Sequence, residues 1–196
     1  MYRQEAGRRQ AAAMMSQASL EDYLRSLEME VLIAFADEFT CPRVSQLTQR
    51  TNQFNLTTKR YSEPEVTELI EADQAQVRVL RLKDRFGDTG LVGTAILKFE
   101  GQDCLIETFL LSCRVIGRGV EDVLLWDCAN LARQRSCRNL IGRYVPTARN
   151  NQVESFYPDR GFEPRPAKGP AREFVLSLDS PPDCPQYFKS IASDVA

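Results

Sequence analysis

The run Arg114-Val115-Ile116-Gly117-Arg118-Gly119 combines residue types that can hold an anion. An apolar stretch, Cys104 to Leu111, precedes it and reads as a buried strand; Val120, Val123, Leu124, Leu125, Ala129 and Leu131 follow it at helical spacing. A glycine-rich turn between strand and helix is a phosphate cradle. Gly117 and Gly119 let backbone N–H groups approach closely, the helix start presents its positive end, and Arg114 and Arg118 add charge. A helix-entry turn with two surface arginines would look the same. A second segment, Asn150-Asn151-Gln152-Val153-Glu154-Ser155-Phe156-Tyr157-Pro158-Asp159-Arg160-Gly161-Phe162, follows the strand-like Asn139 to Val145.

The elements that position these segments can be read along the chain. Ser19 with Asp22 is a capping-box-like helix start, followed by the apolar face Leu20, Tyr23, Leu24 and Leu27. Val31 to Phe35 suits a strand, Pro42 opens a helix with Val44 and Leu47, and Ser62, Pro64 and Glu65 open another running to about Ala72. Strands follow at Gln76 to Lys83, Leu91 to Phe99 and up to Leu111, with a charged turn at Asp84 to Asp88. Helix, strand, helix and a last strand near Glu173 to Leu178 complete the order, with a short strand possible around Phe162 to Arg165. Residues 19–180 thus read as one α/β domain with a mixed, mainly antiparallel sheet flanked by helices. Residues 1–18 read as a linker or junction remnant, and residues 181–196, with Pro181, Pro182 and Pro185, as an irregular tail.

Composition narrows the chemistry. The chain has 196 residues, net charge −2 and no histidine. It offers no electrostatic case for nucleic acid or a membrane surface, and no apolar run near the roughly 18 residues of a span. A cytoplasmic protein is expected. The six cysteines show no Cys-x-x-Cys spacing and read as reduced thiols, so no metal is expected. Without histidine, proton transfer falls to carboxylates, tyrosine, lysine, cysteine, an amino terminus or water.

Together and in this order, the two segments resemble the GNAT superfamily of N-acyltransferases, and the element order is that of the GNAT fold. The resemblance implies that Leu111 and the turn Arg114, Val115, Ile116, Gly117, Arg118 and Gly119 bind coenzyme A or a phosphopantetheine thioester. It places Asn150 beside the pantetheine arm, and Tyr157 near the sulfur as general acid. A phenol of unperturbed pKa about 10 can protonate a departing thiolate. Glu107 is the implied base acting through water. Cys113 beside Arg114 is a weaker candidate for a covalent acyl carrier. Each has a plainer reading: Tyr157 as core packing, Asn150 as a helix cap, Glu107 on a solvent face.

The segments Gln46 to Tyr61 and Phe109 to Glu121 are similar to the C-terminal half of FkbH-like proteins, in which a HAD-type phosphatase domain precedes a GNAT-like domain. That resemblance covers about Tyr2 to Leu178. It implies loading of a glyceryl unit onto an acyl carrier protein in polyketide or tetronate assembly. The phosphatase motif Asp-x-Asp-x-[Thr/Val] is missing, so phosphatase activity is not expected and a HAD-type partner is. Asn52, Gln53, Asn55 and Thr57 are then expected to read the acceptor, or merely to satisfy their own turn. Arg43, Arg50, Lys59 and Arg60 could face an acidic carrier protein or form a solvated helix face. The alternatives to an acyltransferase are a non-catalytic module that presents the carrier arm, and a stand-alone small-molecule N-acetyltransferase.

Overall fold

The computed structural model describes residues 20–167 and 169–195. The junction segment 1–18 and the Ser19 cap lie outside the described residues. Eight strands form one sheet in the order β6-β7-β5-β4-β3-β2-β1-β8. In chain order the elements are α1 (Leu20–Ser26), β1 (Glu30–Phe35), α2 (Cys41–Arg50), α3 (Glu63–Glu71), β2 (Ala75–Asp84), β3 (Gly87–Glu100) and β4 (Asp103–Leu111). They continue with α4 (Val120–Gln134), β5 (Asn139–Tyr144), β6 (Glu163–Arg165), β7 (Arg172–Ser177) and β8 (Ser190–Ser193).

Alternation along the strands makes a three-layer molecule. Val77 and Val79 of β2, with Leu110 of β4, pack against Val44 and Leu47 of α2 and Val66 of α3. Leu80, Leu82, Phe109 and Leu111 face the opposite way, into the larger core built on Val123, Leu124, Cys128 and Ala129 of α4. The α3 start is the expected capping box: the Ser62 side chain caps the N3 backbone, and the Ser62 N–H donates to a Glu65 carboxylate oxygen at 2.8 Å. No helix among the described residues is long and apolar enough to cross a membrane.

Three expectations are corrected. The tail is not wholly irregular, because β8 extends the sheet by pairing parallel with β1 from Glu30↔Ser190 to Ile33↔Ser193. Asp194, just after it, accepts the Phe35 N–H at 2.9 Å and pairs with Arg78 at 2.6 Å. Arg78 is fully buried and forks onto Asp127 of α4. A helix was expected between Asn150 and Phe162; two 3-10 turns, Asn151–Val153 and Pro158–Arg160, stand there instead. Pro158 lacks an N–H to continue a helix, and Gly161 at φ +79 turns the chain into β6. The charged turn before β3 is shorter than read, since Asp84 pairs directly with Gly87.

Candidate functional site

β4 and β5 run parallel from Asp103↔Asn139 to Ile106↔Gly142 and then part. The cause lies in β4. Ile96 of β3 faces Thr108 while Leu97 faces Ile106, so Glu107 is an extra residue, a bulge that bends the strand away. Beyond it, the Phe109 carbonyl and the Leu111 N–H point into the gap without a β5 partner. These are the groups on which an extended amide-bearing ligand would dock.

The chain itself fills this gap. Phe54-Asn55-Leu56-Thr57, from the connection between α2 and α3, lies in it as a strap. The Leu56 N–H donates to Phe109 O at 3.1 Å, the Leu111 N–H donates to Phe54 O at 3.0 Å, and the Val145 N–H donates to Leu56 O at 2.8 Å. Phe54 and Leu56 are buried, with Phe54 edge-on to Phe156 at 5.6 Å. The polar residues between them hold the strap. Asn55 donates to Thr51 O at 3.2 Å and accepts from the Thr58 N–H at 2.8 Å, and the Thr57 hydroxyl donates to Glu107 O at 3.1 Å. Asn55 and Thr57 were expected to read the acceptor; their side chains are spent inside the fold. Asn52 and Gln53 remain on the wall of an open cavity.

Asn150 serves the same strap. It is fully buried; its amide N–H groups donate to Asn55 O at 2.9 Å and Val145 O at 3.0 Å, and its oxygen accepts from the Thr147 N–H at 2.8 Å and hydroxyl at 2.9 Å. Its donors and acceptor are thereby committed while the strap is seated, so it ties the strap to the β5 exit.

Glu107, the implied base, is the hub of a cation cluster. Its carboxylate meets Lys59 at 2.7 Å, Arg143 at 3.0 Å and Lys98 at 3.5 Å. Burial works to raise its pKa, but the hydrogen bond and charge of Lys59, with Lys98 and Arg143, outweigh it and hold the carboxyl below its ordinary value. So paired, it is a poor proton acceptor and a good clamp across the parting strands. Tyr157 packs its ring on Gly142, the last β5 residue paired with β4, and a methyl group there would come within 2.4 Å of the ring. Its hydroxyl is buried without a hydrogen-bond partner. Burial, then Cys128, drives the phenol well above its ordinary pKa, with Arg143 opposing, so it stays protonated.

The glycine turn has the expected backbone but different charge. Cys113–Val115 forms a 3-10 turn, Val115 is buried, Ile116 is exposed, and Gly117 and Gly119 take φ +79 and +72. Gly119 sits at the α4 N-cap, and a methyl group on it would lie 1.6 Å from the Tyr187 hydroxyl. Tyr187, from the tail, therefore covers the helix start; burial, then Asp122 and Glu121, pushes its phenol up to about 12. Arg118 is committed to Asp84 at 3.1 Å and to Arg114 O at 2.9 Å, and Arg114 donates to the Ser112 hydroxyl at 3.2 Å. Glu121 and Asp122 occupy the first turn of α4; burial raises the Glu121 carboxyl above its ordinary value, and Asp122 pairs with Arg160 at 2.6 Å. Cys113 is exposed beside this turn.

Sequence reasoning missed the strap and Tyr187. Phe54-Asn55-Leu56-Thr57 does alternate apolar and polar residues, which is a strand signal, whereas nothing local marks Tyr187. Among the described residues no cluster of three or more His, Cys, Asp or Glu side chains could hold a metal ion.

No protein-family model matches this sequence, and no curated protein matches it. Solved structures do match. The chain is similar to a ribosomal-protein-alanine N-acetyltransferase from Escherichia coli, at 14% identity over 76% of this chain and 94% of that one, with a TM-score of 0.56. The GNAT domain of PAT from S. lividans is 16% identical over 74% and 89%, with a TM-score of 0.58. N-acetylglutamate synthase from Neisseria gonorrhoeae, complexed with coenzyme A and N-acetyl-glutamate, is 17% identical over 76% of this chain and 35% of that one, with a TM-score of 0.56. The fold is the GNAT fold, an α/β sheet of eight strands flanked by helices.

Proposed function

We propose that this chain is an acyltransferase-like domain that receives a phosphopantetheine thioester, on coenzyme A or an acyl carrier protein, within an FkbH-like glyceryl-loading system. The observation that supports it is the parted β4 and β5, with the Phe109 carbonyl and Leu111 N–H directed into the gap and the Tyr157 ring packed on Gly142, where the two strands stop pairing. Coenzyme A does not fit this gap while the strap is seated. The strap's peptide groups satisfy the same donor and acceptor that pantetheine amides would use, so binding requires exchange of one for the other. With the strap displaced, β4 orients the arm, Tyr157 holds a proton, and the Glu107–Arg143 pair ties the two strands at the point where they part.

A second reading is favoured by Glu107 being paired with three cations: a module that binds the carrier arm and presents it to a HAD-type phosphatase partner without transferring anything itself. Intact-mass analysis of a carrier protein incubated with glyceryl donor and this chain, with and without a separately made phosphatase half, separates the two. Mass gain with this chain alone supports the acyltransferase. Gain that needs both proteins supports the module, and no gain in either mixture rejects both.

A further inference from the structure

A cavity of about 670 Å³ opens beside the strap, on the α2 side of the β4 end. Its volume falls within the roughly 300–1,000 Å³ range of small-molecule sites. Arg43 and Arg50 enter it from one face of α2, seven residues apart; Arg149 enters from the loop after β5, and Asn52, Ser112 and Cys113 complete the polar wall. The cavity lining contains no carboxylate. None of the three lining arginines, Arg43, Arg50 and Arg149, forms an ion pair with a carboxylate of the described residues, and neither does the neighbouring Arg114.

The charges lie close enough to feel one another. Burial, followed by the charges of Arg114 and Arg50, pulls the Arg43 guanidinium below its ordinary value. Arg43 bonds only neutral groups, the Leu91 carbonyl and the Gln46 side chain. The Asn52 oxygen already accepts from Arg60, which leaves its amide to donate. The wall is therefore rich in donors and uncompensated positive charge, in a concave space.

We propose that this cavity is a binding site for a small phosphate ester bearing at least two negative charges. Guanidinium groups match phosphate oxygens in a forked geometry, and three of them lining one concave space with no carboxylate among them favour an anion there. The site stands on its own lining, whether or not the domain transfers an acyl group. Its floor includes Phe54, so a ligand seated here touches the strap's first residue and leaves the gap between β4 and β5 closed.

Titration calorimetry of the full chain with inorganic pyrophosphate, and separately with coenzyme A as an esterified form, tests this. The double variant Arg50→Gln/Arg149→Gln alters two exposed side chains and leaves the core intact. The variant Arg25→Gln/Arg81→Gln removes equal charge from exposed positions elsewhere. Expected is saturable pyrophosphate binding that weakens about tenfold or more in the first variant and holds in the second. Coenzyme A binding that weakens in the first variant by the same factor as pyrophosphate binding assigns its phosphates to this cavity; coenzyme A binding that the first variant leaves unchanged places coenzyme A elsewhere and restricts the cavity to smaller esters. Absence of pyrophosphate binding by the wild type, or equal weakening in both variants, overturns the proposal.

Discussion

Replacing Leu56 by alanine should lower the stability of the domain and raise its affinity for a pantetheine-bearing ligand. Leu56 is fully buried at the centre of the strap, between the Phe109 carbonyl and the Val145 N–H. A Leu→Ala change at such a site costs about 2–5 kcal/mol through lost transfer energy and a residual cavity. The cost falls on the seated strap only, because in the displaced state Leu56 meets water. A mid-range loss of about 3 kcal/mol shifts the seated-to-displaced ratio by roughly 100-fold. Since only the displaced state admits pantetheine, its apparent affinity should tighten by up to the same factor.

Melting curves and calorimetry with coenzyme A read the two effects separately. The melting temperature should fall by about 6–12 °C, at roughly 2–4 °C per kcal/mol for a domain of this size. Hydrogen exchange should quicken at the Leu56, Leu111 and Val145 amides before it does in β2 and β3. Opposite signs for stability and affinity are the signature of an exchangeable strap. A lower melting temperature with no detectable coenzyme A binding, in variant as in wild type, would refute the exchange and leave the strap as permanent structure.

Other outcomes follow from single groups. Tyr157→Phe removes a buried hydroxyl without a partner, so it should stabilise the fold by about 1 kcal/mol; if the domain is catalytic, turnover should fall about 10- to 1,000-fold at unchanged thioester affinity. A variant equal to wild type in turnover rejects the proton-donor role. Glu107→Gln should cost about 1–2 kcal/mol at pH 7, since the cations it holds are partly exposed. Because the folded carboxyl lies below its ordinary 4.5, this stabilisation is fully present above pH 4.5 and lost as pH falls through the lower folded value. The difference in melting temperature between wild type and variant should therefore close in acid, and one that persists there would show that charge is not what Glu107 contributes.

What was legible in the sequence was local. The α3 cap, the turn with its glycines and the helix after it follow from residue type within a few positions, and the element order was enough to recognise the fold. The pairing that decides the site is not local. The Leu56 carbonyl meets the Val145 N–H, and Asn150 meets Asn55, through contacts that no window along the chain contains. Asn150 and Thr57 stood out as polar residues that wanted partners; the sequence left open whether those were ligand or backbone. The 3-10 turns at Asn151 and Pro158 went unread because the apolar spacing of Val153, Phe156 and Tyr157 suits a helix, and Pro158 alone overrides it. β8 was missed because Ser190 to Ser193 is too short to show a period, and it is held by pairing with the distant β1 and by Asp194 reaching Phe35 and Arg78.

The Gly117-Arg118-Gly119 turn shows how one pattern can satisfy two demands. A phosphate cradle needs a glycine at the helix start so that an anion can approach the backbone. The structure supplies another reason for the same residue: Gly119 is at φ +72, and the Tyr187 ring occupies the space a side chain would take. The pattern therefore does not by itself discriminate a ligand from a neighbouring segment. Charge does. A helix start meant for pyrophosphate gains from an empty first turn, whereas here Glu121 and Asp122 occupy that turn and Arg118 is held by Asp84. The uncompensated positive charge of this region lies instead one step away, on Arg43, Arg50, Arg114 and Arg149. It is there that an incoming phosphate is met by guanidinium groups bound only to neutral partners, without first displacing Tyr187 or an acidic side chain.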